Sequence, residues 1–583
     1  MNNKKRDEFV TKLLGKMTLE EKVGQCFTLS WRGSMITPSV MDLIEKLHVG
    51  GLRIEPFTTE SAVALYYGRR LSDPNFKPPA DYQQIAQTYF KAKHPGIYIT
   101  PDQYSDRINR LQKLATARPS GVPLHIATDY EGDFSHDYSH GGMNMFPSNM
   151  GLAACADPKL VYEVGLAMGR QCRAVGITML HSPVCDVNVN AGNPEIGTRS
   201  FSDDPKVCSE LLAQYYQGLR DGGIIAFAKH YPGRGDSATD AHDDLPEIAT
   251  PRAVMSKRDL APYRRLIGLN LSGVMSAHTV YPGLDDSGLP ATLSRKIMHD
   301  LLRGELGFQG VISTDAMGMG AIVKKWGIPR ACVMALKAGC NLCLVKNDDE
   351  VRSQAFYEVR RAVETEEWRE SGLDESVRYV LNAKYDQGLF KNRAQVDSSL
   401  APSIVASPKI RKLSANVAEK ALILIRDKAR LLPLSDKEKV LVIEQIVPEE
   451  FTPNDVHCNS FILNESIIKE SRNVINASTE FCATKEEVAL MLDVARDADV
   501  VVITNFYWRI RPANNTELVR QLIASGKKVI VVTNTPYEVG NTPEAETVLC
   551  TFASTPNSLR SAARFLYGRL KAAGKWPLKN MKR

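Results

Sequence analysis

Over the first 350 residues the apolar positions gather in short runs, separated by stretches in which apolar residues recur with helical spacing. Eight runs stand out: QCFTLS (25–30), GLRIEP (51–56), PLHIATD (123–129), ITMLHSPVCD (177–186), IIAFAKH (224–230), LSGVMSAH (271–278), GVISTD (310–315) and CNLCLV (340–345). Short apolar runs alternating with amphipathic helices predict parallel β/α units. Polar groups close five of the runs: Asp129, Asp186, Lys229 with His230, His278, and Asp315. In a TIM-type (β/α)8 barrel all strands end on one face, so these groups are predicted to converge in one crevice. Taken singly, each serves equally well as a helix cap or the start of a turn.

The pattern changes after residue 390. NRAQVDSSLAPSIVASPK is a Ser/Pro/Ala-rich connector, and five further apolar runs follow: ALILIRD, KVLVIEQ, VVVITN, KKVIVVTN and TVLCTFA. KEEVALMLDVARDA and NTELVRQLIASG lie between some of them with helical periodicity, which predicts a mostly parallel sheet in an α/β/α sandwich. The expected division is a barrel over 1–390, a linker over 391–416 and a sandwich over 417–583. Residues from about 57 to 120 are too long for an ordinary connection and read as an insertion that walls the pocket. No glycine-rich phosphate motif occurs in the second unit, which argues against a nucleotide site there.

Composition narrows the function. A chain of 583 residues, 43% hydrophobic and 24% charged, can bury a large core and form more than one domain. Seventy-three Lys and Arg against 67 Asp and Glu leave +6, slight for this length and not clustered, so nucleic acid is not an expected partner. Lys4-Lys5-Arg6 is followed by acidic residues and an amphipathic stretch rather than an apolar segment. With no apolar run of about 18 residues, no membrane span is expected and the location reads as cytoplasmic, a trimmed secreted form being the alternative. Eleven scattered cysteines fit reduced, buried thiols, and Cys340-Asn-Leu-Cys343 reads as core rather than a metal site. His136 and His140, four apart, lie in a Ser/Gly-rich stretch that favours a loop over a metal-binding helix. No metal or cofactor is called for.

The densest chemistry lies in AKHYPGRGDSATDAHDDLP (228–246). From spacing alone, Asp240-Ala-His242 is either a solvated turn or a carboxylate–imidazole pair. This stretch, with MTLEEKVGQ (17–25), IATDYEG (126–132), NPEIGTRSFSDDP (193–205), ATLSRKIMHDLLRGELGFQGVISTDAMGMGAI (291–322), AEKALILIRDKARLLPL (418–434) and FLYGRLKAAGKWPL (565–578), resembles glycoside hydrolase family 3. The loop from Lys229-His230 to Asp240-x-His242 is similar to that of its β-N-acetylglucosaminidase branch.

The resemblance implies a barrel followed by a sandwich and a retaining, exo-acting β-N-acetylglucosaminidase. Its substrates would be terminal β-GlcNAc units of cell-wall fragments, chitin oligosaccharides or other glycosides. It implies Asp315 as nucleophile, Asp240 with His242 as a mobile acid/base, and Asp129, Arg199, Lys229 and His230 as the groups holding the sugar hydroxyls. The chemistry agrees: retention needs a carboxylate on one face of the anomeric carbon and a proton donor at the leaving oxygen. Lys229 is expected to help keep Asp315 ionised. Asp240 is expected to fix the imidazole tautomer, with YPGRG as the hinge. Asp186 reads as a loop-bonding carboxylate or a sugar contact, and His278 as a lining or supporting group. The sequence departs from the family pattern at Arg234, where a second His is usual, and at EGDFSH, where EGGR is usual. Arg234 is a candidate ligand contact, and its charge leaves open phosphorolysis with phosphate as a partner. A second-domain Glu as the acid, as in glucosidases, and a silent sugar-binding protein are the other readings. The oligomeric state is not predicted.

Overall fold

The computed structural model describes residues 3–32, 36–55, 100–133, 142–347, 349–446, 461–508 and 513–581. Eight parallel strands close into a barrel in sequence order: β1 (Phe27–Arg32), β2 (Gly51–Glu55), β3 (His125–Thr128), β4 (Met179–Leu180), β5 (Ile225–Tyr231), β6 (Gly273–Ser276), β7 (Val311–Ala316) and β8 (Leu342–Val345). Every predicted barrel run overlaps one of them. The longest run, 177–186, shortens to two strand residues; Pro183 follows shortly after and cannot donate to a ladder.

Local chemistry sets the helix starts. Thr37-Pro38, Asp157-Pro158 and Asp204-Pro205 each place a capping oxygen before a proline at the first helical position, and the caps accept from Val40, Leu160 and Lys206 backbone N–H groups. Part of the predicted insertion is a regular crossover: residues 101–116 form a helix between β2 and β3 that buries Tyr104, Ile108 and Leu111 against the barrel. Most of the predicted insertion, 57–99, and the pair His136 and His140 lie outside the described residues.

Lys384, from the helix Glu370–Asp386, plugs the barrel floor. Its ammonium donates to Gln25 Oε1 (2.8 Å), Gly50 O (2.7 Å) and Pro123 O (2.9 Å), so three donors meet three acceptors beneath β1 to β3. Lys384→Met keeps the length and orphans Gln25 Oε1 and Pro123 O, while Gly50 O keeps the backbone bond from His125 N. We expect it to lower the barrel's stability by about 2–4 kcal/mol, read as a lower urea midpoint.

The connector is helical, with segments Ala401–Val405 and Pro408–Ala421, and Val405, Ile410 and Val417 pack into the barrel core. Beyond it a six-stranded sheet runs in the order β11 (Val474–Thr479), β10 (Val440–Gln445), β12 (Val500–Thr504), β13 (Lys528–Thr533), β14 (Thr547–Cys550), β9 (Ile423–Asp427). All pairs are parallel except β14 with β9. Leu518 and Leu522 cover one sheet face and Leu559 and Ala562 the other, which makes the sandwich. The edge strand β11, VINAST, was not among the predicted runs; most of it is half-exposed and it carries too few apolar residues to stand out.

The sandwich docks on the site face of the barrel. Asp133 accepts from Ser554 N (3.0 Å) and Asn534 Nδ2 (3.2 Å), Asn188 donates to Tyr537 (2.8 Å), and Tyr507 donates to Pro194 O (2.9 Å). Those contacts brace the barrel loops that follow β3 and β4.

Candidate active site

The strand ends converge as the pattern predicts. Asp129, after β3, accepts from Lys229 of β5 at 3.0 Å and from Arg53 of β2, which also bonds Glu55. Burial opposes ionisation of Asp129, but Arg53 and Lys229 outweigh it and hold the carboxyl well below its ordinary range. Lys229 also meets Glu131 at 2.5 Å. Glu131 in turn takes a bidentate contact from Arg199, at 2.7 and 3.0 Å. These groups form a charged, largely buried cluster, with Asp129 keeping 17% of its side chain exposed. Such a set offers paired donors and acceptors to vicinal hydroxyls.

Asp315 sits near the end of β7 with 15% of its side chain exposed. Its Oδ1 accepts from Ala316 N at 2.7 Å, while Oδ2 lies 3.6 Å from Arg234 and 4.0 Å from His230 Nε2. Burial disfavours its charge, yet the basic neighbours His230, Arg234 and His242 prevail and hold the carboxyl far below its usual value. Lys229, expected to do this, is instead engaged by Asp129 and Glu131.

Behind this surface lies a second layer. Asp186 has no exposed side chain; it accepts from His230 Nδ1 (2.8 Å) and from Arg234 N (2.6 Å). That bond places the proton of His230 on Nδ1 and leaves Nε2 facing Asp315 and Arg199. His278 is fully buried, with Nδ1 2.8 Å from Thr292 Oγ1 and Nε2 3.1 Å from Ala316 O. Burial pushes its pKa down to about 4 against the pull of Asp315, so the ring is neutral and its Nε2–H donates to the carbonyl beside the carboxylate. Arg234 likewise exposes nothing; it pairs with Glu195, so a ligand in the crevice, phosphate included, has no direct access to it.

The pair Asp240 and His242 forms as spacing allowed. Asp240 Oδ1 accepts from His242 Nδ1 at 2.7 Å and from the His242 backbone N–H at 2.9 Å, and 41% of the imidazole remains exposed. The loop rests on the residues that follow β7: Gly320 N donates to His242 O (3.1 Å) and Ala321 N to Ala241 O (3.2 Å). The segment YPGRG is not loose. Tyr281 donates to Gly233 O and Asn193 to Arg234 O, and a Cβ on Gly235 would collide with Val187 O, so any swing of the dyad must arise beyond Gly235.

Glu195, Asp240 and His242 bring ligand-type atoms within 4.8 Å of one another, a spacing that would admit a cation. Arg234 already engages Glu195, and Asp240 engages His242 Nδ1, which suits proton handling.

Several site residues escaped the sequence reading: Arg53, Glu55, Glu131, Glu195 and Lys346. Lys346 directly follows β8, the same strand-end signal used for the others, and lies 3.5 Å from Glu55. Burial and the charge of Arg53 push its pKa down to about 7. Arg53 and Glu55 alternate within an apolar run, the spacing of one strand face.

Against known proteins, the sequence profile of the glycosyl hydrolase family 3 N-terminal domain matches residues 18–383. The chain belongs to glycoside hydrolase family 3. Among its relatives, a β-hexosaminidase A from Pseudoalteromonas piscicida is 28% identical over 520 residues, covering 81% of this chain and 85% of its own. The solved family 3 β-N-acetylglucosaminidase from Paenibacillus sp. str. FPU-7 superposes with a TM-score of 0.83 at 28% identity, covering 97% of this chain and 99% of that one. A β-glucoside phosphorylase shares the fold, with a TM-score of 0.78 at 20% identity over 99% of this chain and 97% of that one. No helix among the described residues is long and apolar enough to cross a membrane.

Proposed function

We propose that this family 3 enzyme is a retaining, exo-acting β-N-acetylglucosaminidase that removes terminal β-GlcNAc from cell-wall fragments, chitin oligosaccharides or related glycosides. The observation that carries the reading is Asp315, an ionised and partly exposed carboxylate among basic groups, with the Asp240–His242 pair docked on the residues that follow it. The 28% identity to a β-hexosaminidase and to a solved β-N-acetylglucosaminidase supports the substrate class.

In this reading Asp129, Arg199, Lys229 and His230 hold the sugar in the crevice. Asp315 attacks the anomeric carbon while His242 protonates the leaving oxygen, and the new bond is a glycosyl ester. Asp240 stabilises the imidazolium before transfer and holds the tautomer. His242, then neutral, removes a proton from water as the water displaces Asp315. Asp186, His278 and Arg234 act from behind: Asp186 orients His230, His278 props the Ala316 carbonyl, and Arg234 faces Asp315. A second-domain Glu as acid draws no support from the described side chains that reach these loops, among them Tyr507, Asn534, Tyr537 and Ser554. Residues 447–460 and 509–512 lie outside the described residues.

A panel of p-nitrophenyl glycosides, with and without phosphate, tests the assignment. We expect β-GlcNAc to exceed β-glucose by at least about 10²-fold in kcat/KM, with free GlcNAc released at a phosphate-independent rate. Sugar 1-phosphate as the main product would establish phosphorolysis instead, and a preference for glucose would overturn the substrate class.

A further inference from the structure

Glu195 belongs to none of the roles above, yet it stands between them. It follows Pro194 in the loop after β4, and its side chain is 2% exposed. One oxygen, Oε2, is taken by Arg234 NH2. The other, Oε1, lies 3.8 Å from His242 Nδ1, the same ring nitrogen that Asp240 holds at 2.7 Å. Arg234 presents its remaining terminal nitrogen to Asp315 Oδ2 at 3.6 Å, a nitrogen that is buried and makes no hydrogen bond. A continuous set of charged groups therefore runs from Asp315 through Arg234 and Glu195 to His242.

The loop bearing Glu195 is built to hold still. Asn193 Oδ1 accepts from Glu195 N and Ile196 N, both at 2.9 Å, while Asn193 Nδ2 donates to Arg234 O at 2.8 Å. Tyr507 of the sandwich pins Pro194 O. Glu195 Oε1 is thus a fixed acceptor, and the exposed imidazole is the partner able to move. An approach of about 1 Å would bring Nδ1–H within bonding distance of it.

We propose that Glu195, oriented by Arg234, is a positioning residue: a latch on the barrel that receives His242 and holds the proton donor over the crevice. Resting on the proposed catalytic roles, this reading adds a residue outside the motif and gives Arg234 a task other than ligand binding. Arg234 divides its charge between the latch and the nucleophile. When Asp315 is neutralised as a glycosyl ester, Arg234 is left with Glu195 alone, and the latch stays in place for the second step.

A merely structural Glu195 would only neutralise a buried Arg234. Two variants separate the cases: Glu195→Gln, and the charge-free double variant Glu195→Leu with Arg234→Met, since a buried pair replaced by apolar residues of similar size commonly keeps the fold. The readout is the ratio of kcat/KM for 2,4-dinitrophenyl β-GlcNAc, whose leaving group needs no proton, to that for methyl β-GlcNAc, which needs one. We expect the ratio to rise about tenfold in Glu195→Gln and further in the double variant, toward the value in His242→Ala. Folding is checked by thermal unfolding. A ratio within threefold of wild type in the folded double variant overturns the latch. If His242→Ala itself leaves the ratio unchanged, the donor assignment fails instead, so the two failures are told apart.

Discussion

Asp315→Asn is expected to lower kcat/KM on the order of 10⁴-fold with every aryl β-GlcNAc tested, whatever the leaving group. The substitution is nearly isosteric, and its amide oxygen still accepts from Ala316 N, which now sits 2.7 Å from Oδ1. What it removes is the charge that forms the bond. It also withdraws one anion from Arg234, whose guanidinium has no exposed surface, but Glu195 remains paired with it. The loss should therefore be catalytic, with a thermal midpoint close to wild type. A denatured digest after reaction with a slow fluorosugar substrate checks the covalent step. Wild type should carry the sugar on the peptide containing Asp315, and the variant should carry none. A variant within tenfold of wild type, or a label elsewhere, would remove Asp315 from the nucleophile role.

The pH dependence follows from the same geometry. The folded-state pKa of Asp315 is depressed, so its carboxylate persists as pH falls and is lost only well below the ordinary value of about 4. Asp129 is depressed in the same direction by Arg53 and Lys229. A decline in activity between about pH 6 and 5 would thus have another source than protonation of either group.

How much of this was legible in the chain depended on the kind of signal. The barrel was, because each strand is a short apolar run with turns and helices on either side, and because five runs end in titratable residues. Asp315 and the dyad were legible through motif and strand position together. The supporting network was less so. Glu195 sits in a loop, Asn-Pro-Glu, where an acidic residue is ordinarily solvated, and only the fold shows it buried against Arg234. Arg234, read as a candidate ligand contact able to attract phosphate, is enclosed, with its backbone N–H tied to Asp186 and its carbonyl to Asn193. Lys229 was placed beside the wrong carboxylate, since adjacency in sequence to His230 says nothing of which way a five-atom side chain turns. It turns to Asp129 and Glu131, while its neighbour faces Asp315. Strand β11 was missed for a related reason, since an edge strand with few apolar residues leaves little pattern to read.

His242→Ala is expected to separate the two chemical steps. Of the titratable groups of this site, the imidazole alone combines 41% exposure with a carboxylate at 2.7 Å from Nδ1, which leaves Nε2 free to carry a proton outward. Without it, kcat/KM for methyl β-GlcNAc should fall by about 10²- to 10⁴-fold, the range of a lost general acid. For the 2,4-dinitrophenyl glycoside the first step needs no proton, so that loss should be far smaller, and the glycosyl enzyme should accumulate because water lacks its base. Azide needs no base and should restore turnover. It enters on the face that the leaving group vacated, opposite the bond to Asp315, so the product should be the β-glycosyl azide. In Asp315→Ala the same anion would occupy the missing carboxylate's place and yield the α-azide. The anomer of the azide, read by NMR, therefore assigns each residue to its face of the sugar. An α-azide from His242→Ala, or equal losses across all leaving groups, would show that the donor is another group.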